Sequence, residues 1–63
     1  MKLSKDTKQF VNIGTKLKDS FSTYIVINCF EVGRSKAITL QDLQTKQVLY
    51  SMPISKCYGM NIL

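Results

Sequence analysis

Residues 23–52 read TYIVINCFEVGRSKAITLQDLQTKQVLYSM, and this stretch decides the fold. Thr23–Val32 is dense in β-branched and aromatic residues, which suit a pleated, half-buried surface. Gly33-Arg34-Ser35 interrupts the run with residues typical of a hairpin loop. Lys36–Leu43 resumes the alternation, with Ile38 and Leu40 on one face and Ala37, Thr39 and Gln41 on the other. Asp42 through Lys46 turns the chain again, with Asp42 and Lys46 expected to pair in the loop. Gln47–Met52 then sets Val48, Tyr50 and Met52 against Gln47, Leu49 and Ser51. Counted the same way, Tyr24, Val26, Asn28, Phe30 and Val32 share one face of the first run, and Ile25, Ile27, Cys29 and Glu31 the other. Period two in three successive runs predicts antiparallel strands. Tyr24, Phe30 and Tyr50 fall at core spacing and are expected to pack inside.

The flanks extend this pattern. Thr15–Lys18 reads as a short edge strand with Leu17 inward and Lys16 and Lys18 in solvent, where lysine discourages pairing with other chains. Asp19-Ser20-Phe21-Ser22 is a turn, because Asp and Ser side chains accept from nearby backbone amides. Pro53 ends the third run or confines it to an edge. Ile54–Tyr58 fits one tight helical turn, Gly59 a reversal, and Met60–Leu63 a last short strand. Met52, Met60, Ile62 and Leu63 complete the core or leave a homodimer interface. At the other end, Ser4 is placed to cap a helical turn reaching Phe10, and Phe10, Val11 and Ile13 to anchor it. The expected class is all-β, mainly antiparallel: a small five-stranded, partly closed barrel with a short N-terminal helical turn or tail. Residues 1–12 form the basic tail or short helix, and residues 13–63 the single small barrel-like domain.

Composition narrows the function. Hydrophobic content of 44% in periodic blocks supports a folded chain, and 63 residues leave little room for a cleft beside a core. The formal net charge is +5, and five of the nine basic residues lie within residues 1–18, against Asp6 alone. Such a field attracts phosphates, acidic proteins or anionic lipid, and it also serves solubility. There is no histidine, and the four acids are scattered singly, so the usual groups for acid–base catalysis are missing. Cys29 and Cys57 cannot supply four zinc ligands, and without a secretory signal after MKLSK both thiols are expected to be reduced, in the cytoplasm. Cys29 reads as a small buried hydrophobe. Neither enzymatic activity, a cofactor, a metal nor a membrane role is expected.

The order Ile13-Gly14-x-Lys16, Tyr24-x-Val26, Ile38-x-Leu40, Val48 and Ile54-x-x-x-x-Gly59-x-x-Ile62 resembles small β-modules of tailed-bacteriophage proteins. Those modules are similar in topology to Src-homology-type barrels, and some accompany phage DNA-binding or homing-endonuclease chains. The resemblance covers about residues 13–62 and implies a barrel. Asp19-Ser20-Phe21-Ser22 stands where that pattern usually has an Asn-rich turn, Cys57-Tyr58 separates Lys56 from Gly59, and no nuclease motif is present.

Two functions follow. The first is a phage-type interaction module that binds and modulates a host protein, acidic on its contacting surface, in the host cytoplasm. The second is a nucleic-acid-binding module in which lysines neutralise phosphates and exposed aromatics stack on bases. The residues expected to contact either partner are Lys2, Lys5, Lys8, Lys16, Lys18, Phe21, Arg34, Lys36 and Tyr58.

Overall fold

The computed structural model describes residues 1–63 and consists of one five-stranded antiparallel sheet. The strands are β1 (Lys16–Lys18), β2 (Thr23–Val32), β3 (Ser35–Asp42), β4 (Val48–Pro53) and β5 (Asn61–Ile62), with short 3₁₀ turns at Lys8–Phe10 and Ile54–Cys57. Their spatial order is β4-β3-β2-β1-β5. The sheet is open: β4 and β5 lie at opposite ends of that order, so the expected partial barrel closure is not made. β1 is also not an edge, since it pairs with β2 on one side and β5 on the other. Leu17 nevertheless points inward and is fully buried, with Lys16 and Lys18 exposed.

The turns carry the chemistry read from the sequence. Val32 pairs with Ser35, leaving a two-residue hairpin loop of Gly33 and Arg34 with Gly33 at φ +60°. Asp19 Oδ1 accepts the backbone N–H groups of Phe21 (2.8 Å) and Ser22 (2.7 Å). Asp42 does the same for Gln44 (2.8 Å) and Thr45 (3.1 Å) instead of pairing with the Lys46 side chain. Lys46 contributes its backbone N–H, which donates to the Asp42 carbonyl (2.9 Å).

Those amides hold the Asp42 carboxyl below its ordinary pKa of 3.8. A depressed pKa means that the folded state prefers the carboxylate. The resulting stability is present above the ordinary value and disappears as pH falls through the lowered one. Asp42→Asn is therefore expected to flatten the fall in thermal midpoint below about pH 4, which a melting series from neutral to acid pH measures.

Two bulges change which residues face the core. Between Val26 and Asn28 the β2–β3 register slips, so that Val26 pairs with Leu40 and Asn28 with Thr39, leaving Ile27 as the extra residue. Cys29, not Asn28, then packs against the core, and Phe30 turns outward at 37% exposure. A second slip lies between Ile38 and Leu40, whose partners are Met52 and Leu49. Tyr50 and Ser51 together face Thr39, with Ser51 at φ +51° and its N–H donating to Thr39 Oγ1 (3.2 Å). Leu49 and Met52 thus both pack on the core, while Tyr50 is 78% exposed. Of the three aromatics expected inside, only Tyr24 packs against it.

One side of the sheet is covered by the N-terminal segment and the Ile54–Cys57 turn. The core joins Leu3 and Val11 to Leu17, Val26, Ile38, Leu40, Ile54 and Cys57. Phe10 and Ile13, expected as anchors, are largely exposed, and Val11 alone of that patch is buried. Leu3 is held by its backbone: its N–H donates to the Met60 carbonyl (2.7 Å), and its carbonyl accepts from Gly59 (2.8 Å). Lys2 bridges Asn61, so residues 1–3 line the free side of β5. Met60 and Ile62 pack on the core and Leu63 remains exposed.

Candidate functional site

The expected contact residues divide into those that converge and those that do not. Lys8, Arg34 and Lys36 line one shallow concavity with Gln9, Glu31, Gly33 and Ser35. Four of those residues, Lys8, Arg34, Ser35 and Lys36, recur in the next concavity, together with Ser55 and Tyr58. Tyr58 also borders a third, with Lys2, Lys18, Gly59 and Asn61. Lys18, Asp19 and Ser20 then lead into a fourth, which Phe21 borders. Shared walls therefore join Arg34, Lys8, Tyr58, Lys2, Lys18 and Phe21 into one strip across the molecule. Lys5 and Lys16 border none of these hollows.

Local structure explains the convergence. The 3₁₀ turn at Lys8–Phe10 is brought against β3 by Lys36, whose ammonium donates to the Val11 carbonyl at 2.7 Å and approaches the Lys8 carbonyl at 3.5 Å. Lys36 is half-buried, so its charge organises backbone at the strip rather than projecting into it. That contact places Lys8 beside Arg34, although they are 26 positions apart. Tyr58 follows the Ile54–Cys57 turn, is 39% exposed, and gives the junction an aromatic surface. Lys2 joins through its bridge to Asn61, and Lys18 through the β1–β5 register, where it also pairs with Asn61.

Two acids border the strip. Glu31 sits at its Arg34 end. Asp19 sits near Phe21, where two backbone amides occupy its Oδ1 and offset its charge. Neutral side chains of the strip carry no distinct signal in the sequence: Ser20 and Ser55 are small polar residues at turns, and Asn61 is a polar residue of β5.

The structure assembles no group of three or more His, Cys, Asp or Glu side chains. Both thiols are free. Cys57 is buried, and desolvation pushes its thiol pKa up, which suppresses the thiolate. Cys29 is half-buried, with Sγ 3.9 Å from the Val11 carbonyl oxygen. No helix is long and apolar enough to cross a membrane. No protein-family model, curated protein or solved structure matches this chain.

Proposed function

We propose that this chain is a small non-enzymatic β-module that binds nucleic acid along the strip from Arg34 to Lys18. The observation that carries the reading is the joining of Lys2, Lys8, Lys18 and Arg34, from distant parts of the sequence, around the exposed face of Tyr58. Cations along a groove neutralise successive phosphates, and each contact releases condensed counterions. The groove is polar, and no carboxylate cluster in it would repel a phosphate chain.

Salt dependence tests it. Four contacts predict a log–log slope near −2.8 for single strands, at roughly −0.7 per phosphate, between about 50 and 200 mM salt. Replacing Lys8 and Arg34 together with Ala should remove about 1.4 of that slope. Replacing Lys5 and Lys46, which lie off the strip, should leave the slope nearly unchanged. Absence of binding at low salt, or equal losses in both pairs, rules the assignment out.

A second reading is favoured by the uncovered sheet face. Ile27, Phe30, Val32 and Tyr50 are exposed there, and Phe30, Val32, Ala37 and Pro53 line a groove of about 350 Å³. Exposed apolar surface of this kind suits a protein partner, as in a phage-type module that docks on a host protein. That groove adjoins the strip, sharing Ser35, Lys36 and Pro53 with its hollows, but such docking would depend on Phe30 and Val32 more than on Lys8 and Arg34.

A further inference from the structure

Phe21 is the most exposed large hydrophobic residue in the chain, at 91%, and it stands at the end of the strip. Its backbone is nonetheless fixed. Asp19 Oδ1 accepts both the Phe21 and Ser22 N–H groups, and the Asp19 N–H donates to the Ser22 carbonyl (3.0 Å), which closes the turn on itself. The ring is thus presented to solvent from a hydrogen-bonded turn between β1 and β2, in a hollow that it shares with Lys18 and with one other apolar residue, Leu43. A flat ring held next to a cation at the mouth of a polar groove is the arrangement that accepts a nucleobase while the adjacent phosphate meets the charge. Tyr58 repeats the pairing further along, between Lys2 and Lys8. Stacking requires unpaired bases, because a duplex keeps its base faces covered by their neighbours.

Building on the nucleic-acid reading, we infer that the strip takes a single strand and that Phe21 is its base-stacking platform. Lys18 would meet the phosphate next to the stacked base, and Tyr58 would hold a second base beyond it. Specificity for sequence is not expected from these groups, since every base offers a π face.

The chain has no tryptophan, so Phe21→Trp introduces a single reporter indole at the platform. Three ligands separate the contributions: an oligothymidylate, an abasic oligonucleotide of equal length, and a duplex. The expected result is quenching of the indole by oligothymidylate and none by the abasic strand. Phe21→Ala should weaken oligothymidylate binding by about 5- to 150-fold with the salt slope unchanged. Its affinity for the abasic strand should match that of the parent protein. An unaltered oligothymidylate affinity in Phe21→Ala, or duplex bound as tightly as the single strand, overturns the inference while leaving the strip itself in place. Failure of the parent protein to bind any of the three overturns both. Phe21 touches no core residue, so a circular dichroism spectrum identical to that of the parent is expected for either variant.

Discussion

Leu3→Ala is expected to leave the molecule largely unfolded, or poised to unfold, at 37 °C. Leu3 is only 1% exposed and belongs to the same buried cluster as Leu17, Ile38 and Leu40. Truncating a buried leucine costs about 2–5 kcal/mol, the transfer term plus the cavity it leaves. A chain of this length has roughly 3–9 kcal/mol of total stability at ordinary values per residue. The loss is therefore comparable to the whole. It is also hard to repair locally, because Leu3 is clamped by backbone bonds to Met60 and Gly59 and cannot move without opening the β5 end of the sheet. A urea titration reads the result: a transition already begun in water for Leu3→Ala, beside a parent-like transition for the exposed Lys5→Ala. A parent-like midpoint in Leu3→Ala would mean that residues 1–3 contribute nothing to the core.

The contrast between Leu3 and the strands shows what can be read from this sequence. β2, β3 and β4 fall where β-branched density and the turn residues put them, because strand position is a local property. Leu3 is different. It is one apolar residue among Lys2, Ser4 and Lys5, and nothing near it announces burial. Its place depends on a partner 57 positions away, the carbonyl of Met60. Barrel closure is similarly non-local: alternation fixes which residues can line a core but not whether the outer strands bend far enough to meet. The strip divides along the same line. Every charge in it is visible in the sequence, but the meeting of Lys8 with Arg34 rests on the Lys36 ammonium finding the Val11 carbonyl. Lys5 and Lys16 look equivalent to Lys2 and Lys18 in composition, and only the chain path separates them.

The faces of the strands are the remaining difference, and here one substitution pair is decisive. Strict alternation through β4 puts Tyr50 with Met52 and Val48, and Leu49 on the opposite side. The bulge reverses this by setting two residues, Tyr50 and Ser51, against Thr39. No glycine marks the site; Ser51 itself adopts φ +51°, which L-residues other than Asn and Asp seldom do, so the sequence carries no warning. Leu49→Asp should then remove a half-buried apolar side chain, worth about half of the roughly 1.5–3 kcal/mol that full burial gives, and place a carboxylate against Leu40, its cross-strand partner and a fully buried core residue. A chain this small cannot absorb both costs, and loss of dispersed amide resonances in a nuclear magnetic resonance spectrum is the expected outcome. Tyr50→Asp should shift stability by no more than about 1 kcal/mol, the range of strand propensity, because the side chain is already in water. If the two effects came out reversed, with Tyr50→Asp unfolding the protein and Leu49→Asp tolerated, the bulge would be absent. Tyr50 would then lie within the core beside Met52, and the exposed apolar face of the sheet would lose its largest ring.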